Sequence, residues 1–322
     1  MELGIGAGAG VEADLRTRRA DAARRAVTER ILALADEAGY RAALIDAVTQ
    51  GSGEASVITW PQFARMVRAA ALGLSRRGLR EDDTAGIFVD DAVSHVVAVH
   101  AVRAAGAIAV PLRPAPASAS LRPARAAADI AAQLKQYRAR LLITSAGLAD
   151  LASQAAERSL VRQVFAFGAA EGTTPFGSLL HTAKHGHVQP NGSADVSYGD
   201  GAALTGGVSH DGGTGRDRPE APPDGGADGD VVARILDLAG LEPDGPAPPL
   251  TSRDVVVAAP PCGDPDVYTS LLDLALTAGA VVVAVRLPQV AAAVGAYKGT
   301  AAIVPRGTGV PGLCADRVFA AG

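Results

Sequence analysis

His181, His185 and His187 fall within seven positions of one another, and imidazoles this close could hold a transition metal. No cysteine or nearby carboxylate completes a ligand set, so chance clustering is the better reading. Gly4, Gly6, Gly8 and Gly10 invite a dinucleotide-loop reading. No strand precedes them and no acidic partner follows in a strand-helix-strand unit, which favours a loose terminus. Ser209-His210 does not resemble a nucleophile elbow. Cys262 precedes a helix signal with Asp264 beside it; that carboxylate raises a thiol pKa, so inertness is expected. His95 and His100 share one helix signal without a Ser or Cys motif that would suggest a triad. We assign no catalytic residue and no metal ligand.

The elements that would position such residues alternate. A helical period runs from Asp21 to Glu37, with Ala26, Ile31 and Leu34 on one face. Ala43–Ala47 and Ala55–Trp60 read as strands around a turn at Gln50–Gly53. Thr59 then precedes a helix with Pro61 in its first turn and an apolar stripe of Phe63, Met66, Val67, Ala70, Ala71 and Leu74, stopped near Gly78. After the strand Ala85–Val89, Asp91 is placed to cap a helix over Ala92–Ala105. That helix is apolar on most of its circumference, which predicts packing on more than one side. Ala107–Leu112 is a strand, followed by helix 124–137, strand 141–144, helix 147–157 and strand 161–167. Past residue 253 the same grammar returns, with strands at 255–259, 280–285 and 301–304 and helices at 265–278 and 288–297. The regular alternation predicts an α/β fold, a mostly parallel sheet with flanking helices.

Between these two parts the composition changes. Residues 181–252 hold 14 of the 37 glycines and 8 of the 20 prolines, with 11 acidic against 4 basic residues. A composition this polar and Gly/Pro-rich predicts a linker, interrupted by one helix signal with Asp230 as cap and Gly240 as stop. We therefore expect a flexible N-terminus over 1–20, a first α/β part over 21–180, an acidic linker over 181–252 and a second part of the same domain over 253–322.

The chain has 322 residues, 48% hydrophobic and 4% aromatic, with a net charge of −4. That length suits a sizeable core of Ala, Val, Leu and Ile. The charge gives no footprint for nucleic acid or membrane partners. Two cysteines far apart, no signal-peptide pattern and no long apolar run together predict a cytoplasmic protein.

Three ordered stretches carry a resemblance. The first is ITWPQFARMVRAAALGLSRRGLREDDTAGIFVDDAVSHVVAVHAVRAAGAIAVPLRPA (58–115), the second AAQLKQYRARLLITSAG (131–147) and the third DVVVAAPPCGDPDVYTSLLDLALTAGAVVVAV (254–285). Together they resemble the front of the N-terminal domain of the adenylate-forming superfamily, which includes the AMP-dependent acyl-CoA synthetases. The resemblance implies the fold of that domain and an enzyme that activates a carboxylate with ATP, releases pyrophosphate and passes the acyl group to a thiol. Backbone N–H donors, a Lys, a magnesium ion and hydroxyls would stabilise the charge on the phosphates.

Departures from the family pattern shape the functional expectation. Where the family reads close to Y-S-S-G-T-T-G-x-P-K-G, this chain has Tyr198-Gly199-Asp200-Gly201-Ala202-Ala203-Leu204-Thr205-Gly206-Gly207-Val208. Tyr198, Gly201, Thr205 and Gly207 are the remnant the resemblance assigns to nucleotide contact. Alanines replace most hydroxyls, no Lys precedes the final glycine, and the Asp200 carboxylate repels phosphate oxygens. A histidine that often follows the third segment's strand is replaced by Pro261-Cys262-Gly263. The chain stops at Gly322, ahead of the family's later motifs and its small C-terminal domain. These departures predict a truncated, catalytically inactive relative with a structural, regulatory or partner-binding role. One alternative is an AMP-forming acyl-CoA ligase completed by another chain, with ATP/AMP and Mg as cofactors. Another is a binder of carboxylate or acyl small molecules. A fragment with an open sheet exposes apolar surface, which predicts a homodimer or a protein partner.

Overall fold

In the computed structural model the described residues are 6–47, 55–113, 123–181, 250–260, 264–305 and 317–321. Residues 1–182 and 226–322 form one compact unit. A second, 183–225, lies outside the described residues.

Helix α1 runs from Gly6 to Glu37, beginning well upstream of the expected Asp21. The Glu, Ala, Leu and Arg residues after Gly10 favour helix strongly enough to carry it back through the expected frayed segment. Strands β1 (Ala42–Asp46) and β2 (Ser56–Thr59) follow. Helix α2 (Trp60–Arg76) starts on a capping box. The Gln62 amide N–H donates to Thr59 Oγ1 at 3.5 Å and the Thr59 N–H to Gln62 Oε1 at 2.8 Å, satisfying two helix-end donors reciprocally. Its predicted stripe is its buried face, with Phe63, Val67, Ala70 and Leu74 at 0% exposure.

Next come β3 (Thr84–Phe88), α3 (Ala92–Ala104), β4 (Ile108–Pro111), α4 (Pro123–Gln136), β5 (Leu141–Ser145), α5 (Ala149–Glu157) and β6 (Gln163–Phe167). Asp91 caps α3, its Oδ1 accepting the Ser94 N–H at 2.7 Å. A two-residue strand, β7 (Thr174–Pro175), was not predicted; two residues give no period to read. The second part supplies β8 (Val255–Ala258), α6 (Pro265–Thr277), β9 (Val281–Ala284), α7 (Val290–Tyr297), β10 (Ala301–Pro305) and an unpredicted β11 (Arg317–Ala321).

These strands form two sheets where the sequence suggested one. One has the order β11-β10-β8-β9-β1-β2 and the other β4-β3-β5-β6-β7. All described pairings are parallel except β1 with β2. The larger sheet joins distant chain segments: Leu44 of β1 pairs with Val282 of β9. Periodicity reports that a strand exists but not its neighbour, so the division into two sheets was not readable.

Each helix covers the face its apolar stripe demands. Ile130 and Leu134 of α4 and Ala152 and Ala155 of α5 pack on Phe88, Leu112 and Leu142, on one face of the smaller sheet. Val290 and Val294 of α7 pack on Val257, Val283 and Ala302 of the larger. Between the sheets lie α1, α2, α3 and α6, whose buried residues share one core with β3, β8 and β9. The result is a helix-sheet-helix-sheet-helix stack. Its middle layer explains why α3 is apolar nearly all round: it has a neighbour on almost every side.

Candidate functional site

Strand order fixes where a parallel sheet can open a crevice. From β3 the chain crosses to β4 on one side and returns to β5 on the other. The helices that follow then splay apart at the carboxyl end of β3. In the larger sheet β8 has the same status, flanked by β9 and β10. Both carboxyl ends reach one cavity of about 600 Å³, lined by Phe88 at the end of β3, Val89 and Asp90 after it, and Pro260 and Pro265 after β8. Leu112 and Arg113 after β4 and Gly147, Leu148, Asp150 and Leu151 after β5 complete most of the wall.

The polar groups of this cavity are individually held. Asp90 Oδ1 accepts a short hydrogen bond from the Ser145 hydroxyl, and Ser145 Oγ accepts the Asp90 N–H at 3.3 Å. Those two bonds tie the end of β3 to the end of β5. A side chain at Gly147 would stand in contact with Asp90 Oδ2, at 3.5 Å. Asp150 lies in the first turn of α5, where the helix dipole favours its charge.

His95 forms part of the wall from α3. Its Nε2 lies 2.8 Å from Thr269 Oγ1 on α6, and that hydroxyl donates at 2.7 Å to the Pro265 carbonyl. With its proton committed, the threonine accepts from His95, which fixes the neutral Nε2–H tautomer. Burial pushes the His95 pKa down to about 3, outweighing the pull of Asp273. The ring stands edge-on to Tyr268 at 5.3 Å, and the Tyr268 hydroxyl donates to the Ala259 carbonyl at 2.7 Å. His95 is thus an uncharged brace between α3 and the β8–α6 connection.

One turn further along α3, a second polar group is buried. Arg103 Nη1 donates to Asp273 Oδ2 at 2.7 Å, His100 Nε2 lies 3.4 Å from Asp273 Oδ1, and Thr28 Oγ1 lies 2.9 Å from His100 Nδ1. Burial lowers the His100 pKa to about 4. This network joins α1, α3 and α6, and sequence reading missed His100 here, as it missed His95 in the brace above, because their partners lie 72 and 174 residues away.

The family model for AMP-binding enzymes matches residues 34–197. The chain belongs to that family. No curated protein matches it. Solved structures of the family share its fold. A long-chain-fatty-acid-CoA ligase from Archaeoglobus fulgidus aligns with a TM-score of 0.56 at 17% identity, over 87% of this chain and 51% of that one. A benzoate CoA ligase from Burkholderia xenovorans aligns at 0.54 and 18%, over 89% and 50%. A putative long-chain-fatty-acid CoA ligase from Rhodopseudomonas palustris gives 0.53 and 18%, over 88% and 63%. The chain therefore spans about half to two thirds of these relatives.

Within the AMP-binding fold, the predicted nucleotide contacts Tyr198, Gly201, Thr205 and Gly207 lie outside the described residues, as do His185, His187, Ser209, His210 and Cys262. His181 is described and exposed. Among the described residues no group of three or more His, Cys, Asp or Glu could hold a metal, and no helix is long and apolar enough to cross a membrane. Among the described residues the cavity wall supplies one cation, which can balance a single carboxylate but not the several charges of a triphosphate. It presents two carboxylates, Asp90 and Asp150, against one guanidinium, Arg113, and like charges repel.

Proposed function

We propose that this AMP-binding-family chain is an acyl-CoA-synthetase-like binder of carboxylate or acyl small molecules that does not activate them with ATP by itself. The carrying observation is the cavity where the two sheets' carboxyl ends meet. Ile87, Phe88, Leu112, Leu148 and Leu151 supply an apolar wall for an acyl body. Arg113, without an ion pair among the described residues, supplies a cation for a carboxylate. Asp90 and Asp150 in the wall, with Asp200 and the missing Lys in the 198–208 loop, argue against triphosphate chemistry. Such a protein would serve a structural, regulatory or partner-binding role.

Isothermal titration of the purified chain with aliphatic and aromatic carboxylates, with and without ATP-Mg, tests this, run beside a pyrophosphate-release assay. We expect saturable carboxylate binding that ATP does not change, weakened by Arg113→Gln, and no pyrophosphate. Pyrophosphate release with one acid class, lost in Tyr198→Ala and Thr205→Ala, would overturn the reading in favour of an AMP-forming ligase.

A further inference from the structure

A groove of about 560 Å³ lies at the opposite, amino-terminal edge of the smaller sheet, lined by Asp82, Asp83, Thr84, Tyr137, Arg138, Arg140, Leu160 and Arg162. Three short connections bring these residues together. Asp82 and Asp83 lead into β3, Arg138 and Arg140 join α4 to β5, and Leu160 and Arg162 join α5 to β6. Backbone bonds fix the connections to one another: the Arg140 N–H donates to the Thr84 carbonyl at 2.9 Å and the Arg162 N–H to the Arg140 carbonyl at 2.9 Å.

Charge in the groove is unevenly satisfied. Arg140 Nη1 is 3.0 Å from Asp83 Oδ1, and Asp83 Oδ2 also accepts the Arg80 N–H at 2.9 Å. Asp82 lies 3.9 Å from Arg25 Nη1. Both carboxylates thus have a cationic neighbour, Asp82 sharing Arg25 with Glu81 at 3.2 Å, whereas Arg138 and Arg162 have no ion pair among the described residues. The rim beside them is apolar: Tyr137 is 45% exposed and Leu160 56%.

Backbone conformation gives an independent pointer. Among the described residues three non-glycine residues have positive φ, and two of them, Asp82 at 63° and Arg138 at 53°, line this groove. Aspartate tolerates the left-handed region; arginine is a poor choice for it. Arg138 closes α4 in the position after the cap, where the Ala139 N–H returns to the Leu134 carbonyl at 2.9 Å. Glycine is the usual occupant of that position. A residue kept in an unfavourable conformation at a cavity is a pointer to function.

We propose that this groove is a second ligand site, taking the phosphate group of a small phosphorylated molecule between Arg138 and Arg162, with an apolar portion against Tyr137 and Leu160. Guanidinium pairs hold phosphate in two-pronged fashion, and the exposed ring offers a flat apolar face. The site is independent of the cavity assigned to carboxylates, and its failure would leave that reading untouched.

Phenyl phosphate and inorganic phosphate, titrated against the full chain at low salt, are the probes. Both should bind, phenyl phosphate more tightly, and Arg162→Gln should weaken phenyl phosphate about tenfold. Arg138→Gly is the decisive variant. It should weaken binding to a similar extent while raising the thermal midpoint by about 2 °C, because glycine relieves the left-handed backbone. Absence of binding by the unaltered chain, or full binding by both variants, would overturn the site. So would a lower midpoint in Arg138→Gly, since the argument from backbone strain would then be wrong.

Discussion

Asp273 of α6 accepts a hydrogen bond from Arg103 of α3 at 2.7 Å, 170 residues away in sequence, with both side chains under 10% exposed. The pair docks the second α/β part of the chain onto the first across the middle layer of the stack. A buried ion pair is costly to desolvate, but removing one partner costs more because the other charge is stranded.

Asp273→Ala should therefore destabilise the protein by about 3–5 kcal/mol in urea unfolding. The paired change Arg103→Met with Asp273→Leu should recover most of that loss. If the single variant alone were neutral, the pair would not be the joint described here.

Acid should act on the same layer. His95 and His100 have folded pKa values lowered to about 3 and about 4, against about 6.5 in the unfolded chain. The unfolded state thus binds more protons below pH 6.5, and stability falls as pH drops from 6.5 toward 4, further toward 3 for His95. Each imidazole contributes a slope of about 1.4 kcal/mol per pH unit inside its window. Unfolding free energies measured from pH 7 to 4 should show this decline, and His100→Gln should flatten it by one proton. An unchanged slope would mean that His100 is not held neutral.

Much of the stack was legible because its parts are local. Thr59, Pro61 and the 63–74 stripe announced α2, and Asp91 announced α3. The pairing of β1 with β9, and so the second sheet, was not legible, because nothing in Ala42–Asp46 names a partner 238 residues later. The candidate cavity was missed for the same reason. Asp90, Arg113 and Asp150 carry no motif at their spacing, and only the strand order brings them to one crevice. The loop remnant 198–208 was legible as a resemblance, and lies outside the described residues.

The cap of α3 allows a finer test of electrostatics. Burial raises the Asp91 pKa, and the nearby Asp46 and Asp90 charges push the same way, against the hydrogen bond from Ser94. The carboxylate is therefore less comfortable in the fold than in the unfolded chain, and its contribution weakens as pH rises through the folded pKa. Asn accepts the same N–H without a charge. Asp91→Asn should be neutral or stabilising at pH 7, while Asp91→Ala should cost about 1 kcal/mol through loss of the cap. Destabilisation by Asn equal to that by Ala would show that the charge itself holds the helix.

Gly73 marks a place where packing leaves no room for a side chain. A Cβ there would stand 2.5 Å from the Leu179 carbonyl oxygen and 2.8 Å from the Leu179 Cα. Both are backbone atoms, so no rotamer change can relieve the contact. Leu179 is buried in the common core and belongs to the turn 176–179 that packs on α2. Helix propensity alone favours Ala over Gly by about 1 kcal/mol, so an exposed site of this kind would gain from the change. Here overpacking should outweigh that gain, and Gly73→Ala should destabilise by about 1–3 kcal/mol. A stabilised Gly73→Ala would mean that the 176–179 turn can move away from α2 freely. That turn would then not be a fixed part of the stack.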